Sequence, residues 1–142
     1  MKTKRKAVML GLGIMMLCGS MTSAFASYVN GTTYQTVTHK DIPNLGGVHF
    51  DTTYGSKKVT TGDFATFYKT RGDALLGNFG ALINSSKTIK SEFIGLPLNS
   101  PNPALELNCT KGTIYYSAAK SSSFEPSNSC DVTMKFSADN LK

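Results

Sequence analysis

The strictest constraint on the fold is an alternation of apolar and polar residues near the C-terminal end of the sequence. Apolar side chains occupy every second position there, and polar ones lie between them; the apolar set is Cys130, Val132, Met134 and Phe136. Successive side chains of a β-strand point to opposite faces, so this period of two predicts a strand with one buried and one solvated face.

A second segment shows the same alternation. Leu105, Leu107 and Cys109 are separated by Glu106 and Asn108. This pattern predicts another half-buried strand. It also predicts that Cys109, like Cys130, lies on the apolar face of its strand.

The remaining segments favour strands over helices. Short runs of β-branched and aromatic residues are separated by turn residues, at 32–40, 47–54, 64–69, 88–94 and 113–118. Residues 75–83 have apolar positions at helical spacing, but Gly77 and Gly80 disfavour a helix; we interpret the segment as strand or irregular, with a short helix as the alternative. The sequence thus predicts an all-β fold, a small β-sandwich or jelly-roll-like barrel of about seven or eight short antiparallel strands.

The N-terminus has the three parts of a secretory signal peptide. Basic residues from Lys2 to Lys6 precede an apolar stretch, Ala7 to Cys18, and a small-x-small motif ends at Ala26. The apolar stretch is shorter than the roughly 20 residues of a spanning helix, which disfavours an uncleaved anchor. The residues before Cys18 are large, which argues against lipidation. We therefore expect a cleavable signal peptide over residues 1–26.

The sequence predicts one secreted domain over residues 27–142, outside the cell, with no transmembrane segment after cleavage. Four of the 15 basic residues lie in the leader. The exported part therefore has 11 basic and nine acidic residues, and its net charge is +2, compared with +6 for the full chain. Its longest basic run is Lys57-Lys58. Nucleic-acid binding therefore lacks its usual electrostatic basis.

Two cysteines, Cys109 and Cys130, remain after the leader. An even pair in an exported domain indicates one disulfide, and two buried free thiols are the alternative. We predict the disulfide, because both cysteines fall on the apolar face of a predicted strand.

Two His-x-Asp units contain the only histidines of the protein: His39 with Asp41, and His49 with Asp51. Positions i and i+2 of a strand share a face. If the two segments form a hairpin centred near Asn44, the four side chains converge in a set suited to zinc or another divalent ion. A shift of the register by one residue would disperse them, leaving an ordinary polar strand face.

Other motifs give no evidence of catalysis. The sequence lacks a Gly-x-Ser-x-Gly nucleophile motif, and no cofactor-binding motif is recognisable. Arg71-Gly72-Asp73 is a tripeptide that adhesion receptors recognise, but Gly-Asp is equally typical of a turn, which is our interpretation. We expect a protein that is not an enzyme and needs no cofactor.

The last third of the chain carries a resemblance. The stretch from Gly112 to Asn128 and the closing run Val132 to Asp139 resemble the ends of small secreted proteins from Gram-positive bacilli. That group has no assigned activity, so the resemblance implies a secreted β protein and identifies no functional residue.

These observations favour a secreted, non-enzymatic binding or interaction domain that acts at the cell envelope or outside the cell, with an unknown partner. The alternative is a secreted antimicrobial or toxin-like protein acting on neighbouring cells. Such proteins commonly contain a membrane-seeking segment, for which residues 75–83 are the candidate.

Overall fold

A computed structural model describes residues 27–141. The predicted signal peptide, residues 1–26, lies outside the described residues. Within 27–141 the secondary structure consists of nine strands: β1 (Ser27–Asn30), β2 (Gln35–Pro43), β3 (Val48–Lys57), β4 (Phe64–Gly72), β5 (Asn78–Ile83), β6 (Ile94–Gly95), β7 (Asn102–Leu105), β8 (Ile114–Ser121) and β9 (Ser129–Ser137). The described residues contain no helix long and apolar enough to cross a membrane.

The strands form two sheets, which confirms the all-β prediction and its sandwich form. The larger sheet has the order β1-β3-β8-β5-β6, and the smaller one has the order β2-β9-β4-β7. Neighbouring strands are antiparallel except β1, which runs parallel to β3. The fold therefore has one or two more strands than the sequence predicts, and one parallel pair.

β9 is the central strand of the smaller sheet, and its alternation is confirmed. Cys130, Val132, Met134 and Phe136 are all buried, and they face the larger sheet as part of one core cluster. The rings of Phe67 on β4 and Phe136 stack with centroids 6.1 Å apart. An alanine in place of Phe67 would cost about 3–5 kcal/mol.

Close approach of the sheets depends on Gly80 of β5. A Cβ atom there would lie 3.0 Å from Leu96 Cδ2 and 3.1 Å from Phe67 Cδ1. The segment 75–83 is thus a turn followed by a strand, as interpreted from its glycines, and not a helix.

The connections β2–β3, β4–β5 and β8–β9 each pass from one sheet to the other, and they lie at the same end of the sandwich. We call this end the loop end. The opposite end, which we call the closed end, contains the β3–β4 and β7–β8 connections and the residues that follow β9. Both ends contain buried charged side chains, and the partners of these side chains differ between the two ends.

Candidate functional site

The two histidines meet, but not in a hairpin. β2 and β3 belong to different sheets, so the predicted pairing of their segments is wrong. His39 and His49 instead face each other across the sandwich, with their Nδ1 atoms 2.9 Å apart and the rings edge to face. This hydrogen bond links the two sheets near the loop end.

His39 is completely buried. Its Nε2 lies 2.9 Å from Ser117 Oγ on β8, so both ring nitrogens have hydrogen-bond partners. Burial and, to a smaller extent, the neighbouring His49 lower the pKa of His39 to about 4, against an opposing effect of Asp51. At neutral pH the buried imidazole is uncharged.

The predicted four-residue metal site does not assemble. The register of β2 on β9 shifts between His39 and Ile42, and Asp41 has a φ of 55°, so this bulge turns Asp41 out to solvent. Asp51 is partly buried on the other sheet, where its Oδ1 accepts the N–H groups of Thr53 and Tyr54. No group of three or more potential metal-ligating side chains comes together within residues 27–141.

Ser117, His39 and His49 form a chain of hydrogen bonds that resembles a nucleophile with its base. Catalysis requires that the nucleophile contact a substrate. Ser117 and His39 are both completely enclosed between the sheets. In this arrangement the chain of hydrogen bonds satisfies buried polar groups and joins the sheets.

The closed end contains a buried ionic cluster that the sequence did not indicate. Lys58 Nζ lies 2.9 Å from Glu106 Oε2 and 3.5 Å from Asp139 Oδ1, and it donates to the carbonyl of Ala138. Burial raises the pKa of Glu106, and Lys58 opposes that shift. Burial also acts to raise the pKa of Asp139, but hydrogen bonds from Thr60 and Val59 outweigh it and lower the pKa.

The disulfide prediction is wrong: Cys109 and Cys130 are free thiols. Cys130 is the second residue of β9 and accepts a hydrogen bond from Asn78, whereas Cys109 lies at the closed end and donates to the carbonyl of Lys90. About eight strand residues, or roughly 25 Å, separate the two regions. A disulfide needs Cα atoms within about 7 Å.

The second predicted alternation is inverted. Glu106 is buried because it meets Lys58, while Leu105 and Leu107 are exposed. β7 ends at Leu105, so Cys109 lies in a loop rather than on a strand face. Burial raises the pKa of the Cys109 thiol to about 11, with a further contribution from Glu106, and burial also raises that of Cys130.

The loop end displays apolar side chains to solvent. Leu45 of the β2–β3 loop, Leu75 and Leu76 of the β4–β5 loop and Phe124 of the β8–β9 loop are between 53 and 81% exposed. Leu45 also has a φ of 53°, a conformation that is uncommon for residues other than glycine. We call these four residues the apolar tip.

Glu125 holds the three loops of the apolar tip together. Its side chain is buried, and its two carboxylate oxygens accept the N–H groups of Leu75 and Leu76 at 3.1 and 2.9 Å. Its backbone carbonyl accepts the N–H of Leu45 at 3.4 Å. The hydrogen bond from Leu76 is the main cause of a lowered pKa for Glu125, so the group is a carboxylate at neutral pH.

A polar groove of about 330 Å³ lies beside the apolar tip, on the outer face of the smaller sheet. Its charged lining is Lys40, Arg71, Asp73 and Asp131. Bulges in β2 and β4, the two strands that flank β9, place Lys40 and Arg71 along its sides. Arg71 and Gly72 are the last residues of β4 and Asp73 follows them, so the turn predicted at this tripeptide lies instead two residues further on, at Leu75 and Leu76.

The two carboxylates of the groove are partly engaged. Asp73 Oδ1 accepts the N–H of Asp131 at 2.7 Å, and Asp131 Oδ1 accepts that of Asp41 at 2.9 Å. Within residues 27–141 both ion pairs belong to Lys58, so Lys40 and Arg71 have no carboxylate within ion-pairing distance.

Sequence reasoning missed the apolar tip and the groove because their residues come from separate loops. The sequence indicates Leu75 and Leu76 only through the helical spacing and the candidate membrane-seeking character of residues 75–83. The signal that could have found the site is a large apolar residue inside a turn, as at Leu45 and Phe124, where polar residues are the norm.

Comparison with known proteins identifies no relative: no protein-family model, no curated protein and no solved structure matches this chain.

Proposed function

We propose that this protein is exported and acts at the cell envelope or outside the cell as a non-enzymatic binding domain, with the loop end as its contact surface. The observation that carries the proposal is the apolar tip. Four large apolar side chains on three loops are held outward around one buried carboxylate. Exposed apolar groups gathered in this way are typical of interaction sites.

The arrangement of the buried polar groups supports binding rather than catalysis. The hydrogen-bonded pair Ser117 and His39 is enclosed, and the charges of Lys58, Glu106 and Asp139 are satisfied within the closed end. The side chains that the loop end offers to a partner are apolar or charged, which suits recognition.

The proposal of export rests on the basic and apolar composition of the N-terminus. It is tested by expressing the full chain in a Gram-positive host and recovering the protein from the culture medium. The expected mass begins at Ser27. Recovery of the uncleaved chain from the cytosol would exclude export.

The binding role is tested on the protein recovered from the medium, by co-sedimentation with Gram-positive cells, isolated cell walls and membrane fragments. In a Leu75→Ser/Phe124→Ser variant the association should weaken at least about tenfold. Transfer of these two side chains from water into the partner contributes a large share of the binding free energy. Leu107→Ser is the control, since Leu107 is also an exposed apolar residue but lies at the closed end. Equal sedimentation of all three proteins would contradict the proposal.

A second candidate function is a toxin-like protein that damages neighbouring cells. The observation that favours it is the exposure of Leu75 and Leu76, within the segment that the sequence indicates as membrane-seeking. Leakage of dye from loaded vesicles, together with killing of indicator cells at low micromolar concentration, would support it. Binding without leakage or killing would support the first function.

A further inference from the structure

We propose that the partner of the loop end is a lipid bilayer with zwitterionic headgroups: the apolar tip enters the boundary of the acyl chains and the neighbouring groove holds a headgroup. This inference rests on the proposed function and specifies its partner.

The shape of the apolar tip suits a bilayer. Leu45, Leu75, Leu76 and Phe124 come from three separate loops and each points to solvent. Leucine and phenylalanine on a polar scaffold are the side chains that bury themselves at the boundary between headgroups and acyl chains. Insertion of a few such side chains requires no matching pocket in the partner.

The charges of the groove are complementary to a zwitterion. The unpaired cations of Lys40 and Arg71 suit a phosphate, which guanidinium groups bind in a bidentate manner. Asp73 and Asp131 each keep one carboxylate oxygen that the hydrogen bonds described above do not use, and an ammonium group can bind there.

A further acceptor lies beneath the groove. Asn78 Oδ1 is buried and has no hydrogen-bond partner among the described residues. A Cβ atom on Gly72, which lines the groove, would be 3.2 Å from it. The partial negative charge of this oxygen lies on the core side of Gly72, next to the residues that line the groove.

The two parts are connected covalently and by hydrogen bonds. Asp73 precedes Leu75 by two residues, and the N–H of Asp73 bonds to the carbonyl of Asp131 at 3.2 Å. Glu125 then fixes Leu75 and Leu76. The groove and the apolar tip are therefore presented together and can contact the headgroup and acyl layers of the same bilayer.

The test uses the protein recovered from the medium and two sets of vesicles. One set is phosphatidylethanolamine with phosphatidylcholine, and the other is phosphatidylglycerol with phosphatidylcholine, each in equal amounts. We expect the zwitterionic vesicles to bind at least as well as the anionic ones, with little change on adding salt. Leu75→Ser/Phe124→Ser should weaken binding at least about tenfold, and Leu107→Ser should leave it unchanged.

The groove is tested separately. Arg71→Gln should weaken binding to zwitterionic vesicles by a few fold, and Lys111→Gln, at an exposed position of the closed end, should not. Binding that requires phosphatidylglycerol and disappears with salt would overturn the inference, as would equal binding of the tip variant. If no vesicle binds the protein while cell walls still bind it through the apolar tip, the inference fails and the proposed function stands. If neither is bound, both fail.

Discussion

The two ends of the sandwich each bury a carboxylate, and they surround it with different partners. At the closed end there are two, Glu106 and Asp139, and both meet the buried ammonium of Lys58, whose single positive charge they share. At the loop end, Glu125 meets uncharged donors: the backbone N–H groups of Leu75 and Leu76, together with Ser127.

This difference determines what each end presents to solvent. The ionic cluster of the closed end draws connecting segments inward around Lys58. The carboxylate of the loop end holds loop backbones, so that the attached side chains point outward. A buried charge thus stabilises the core at one end, whereas at the other it holds the loops of the proposed contact surface.

Removing the ammonium group should cause the largest loss. Lys58→Met leaves Glu106 and Asp139 buried without a counterion, and breaking a buried pair in this way costs about 3–5 kcal/mol. Urea denaturation measures the free energy of unfolding. Lys111→Met, at an exposed position, is the control and should change it little. Equal stability of the two variants would contradict a stabilising role for the cluster.

Acid should destabilise the link between the sheets. The pKa of His39 is about 4 in the folded protein and 6.5 in a free histidine, so between these values the unfolded chain binds a proton that the folded one does not. The free energy of unfolding therefore falls as the pH is lowered from 6.5 to 4, by up to about 3 kcal/mol.

Denaturation at a series of pH values measures this dependence. His39→Gln should remove its contribution to the slope, whatever the stability of that variant at neutral pH. NMR titration should show the His39 ring uncharged down to about pH 4. Identical slopes for the two proteins, or protonation of His39 near pH 6.5, would refute the assignment.

Loss of the charge of Glu125 should loosen the loops without affecting the sheets. In Glu125→Gln the amide offers one acceptor oxygen where the carboxylate offers two, so the N–H of Leu75 or Leu76 loses its partner. Amide hydrogen exchange at these two residues should accelerate severalfold, while β9 keeps its protection. Glu92→Gln is the control, because Glu92 is an exposed carboxylate that accepts the N–H of Leu105.

Substitutions in the apolar tip should hardly change stability. Phe124→Ser and Leu75→Ser remove side chains that are already largely exposed, so the free energy of unfolding should change by less than about 0.5 kcal/mol. A loss of several kcal/mol would show that the apolar tip packs against the core and is not a free contact surface.

Treatment with a thiol reductant should have no effect on the stability of the protein. A disulfide between Cys109 and Cys130 would tie the closed end to the start of β9, but the two thiols are free. Adding a reductant should change neither the unfolding midpoint nor the intact mass. A mass two hydrogens lower before reduction would contradict the structure.

The sequence predicts those parts of the fold that depend on local periodicity. The alternation from Cys130 to Phe136 correctly identifies the central strand and its buried face, because every side chain on that face is apolar. The same rule fails at Glu106, since its burial depends on Lys58, 48 residues earlier in the chain. Charge pairing between distant segments leaves no periodic signal.

The candidate sites show the same limit. His39 and His49 meet across the two sheets and not through the hairpin from which their convergence was expected, and the sequence did not indicate the exclusion of Asp41. A bulge that begins after His39 decides the position of Asp41, and Asp41 itself adopts a φ of 55° there. The apolar tip combines residues of three loops, and only the topology brings them together.

The place of β9 between β2 and β4 has a consequence for how the protein is made. Thr38 and Thr133 are bonded although 95 residues separate them, so the early strands emerge from the ribosome long before their neighbour exists. Pairing across such separations is slow. The smaller sheet therefore cannot complete its pairing until the last strand has been synthesised.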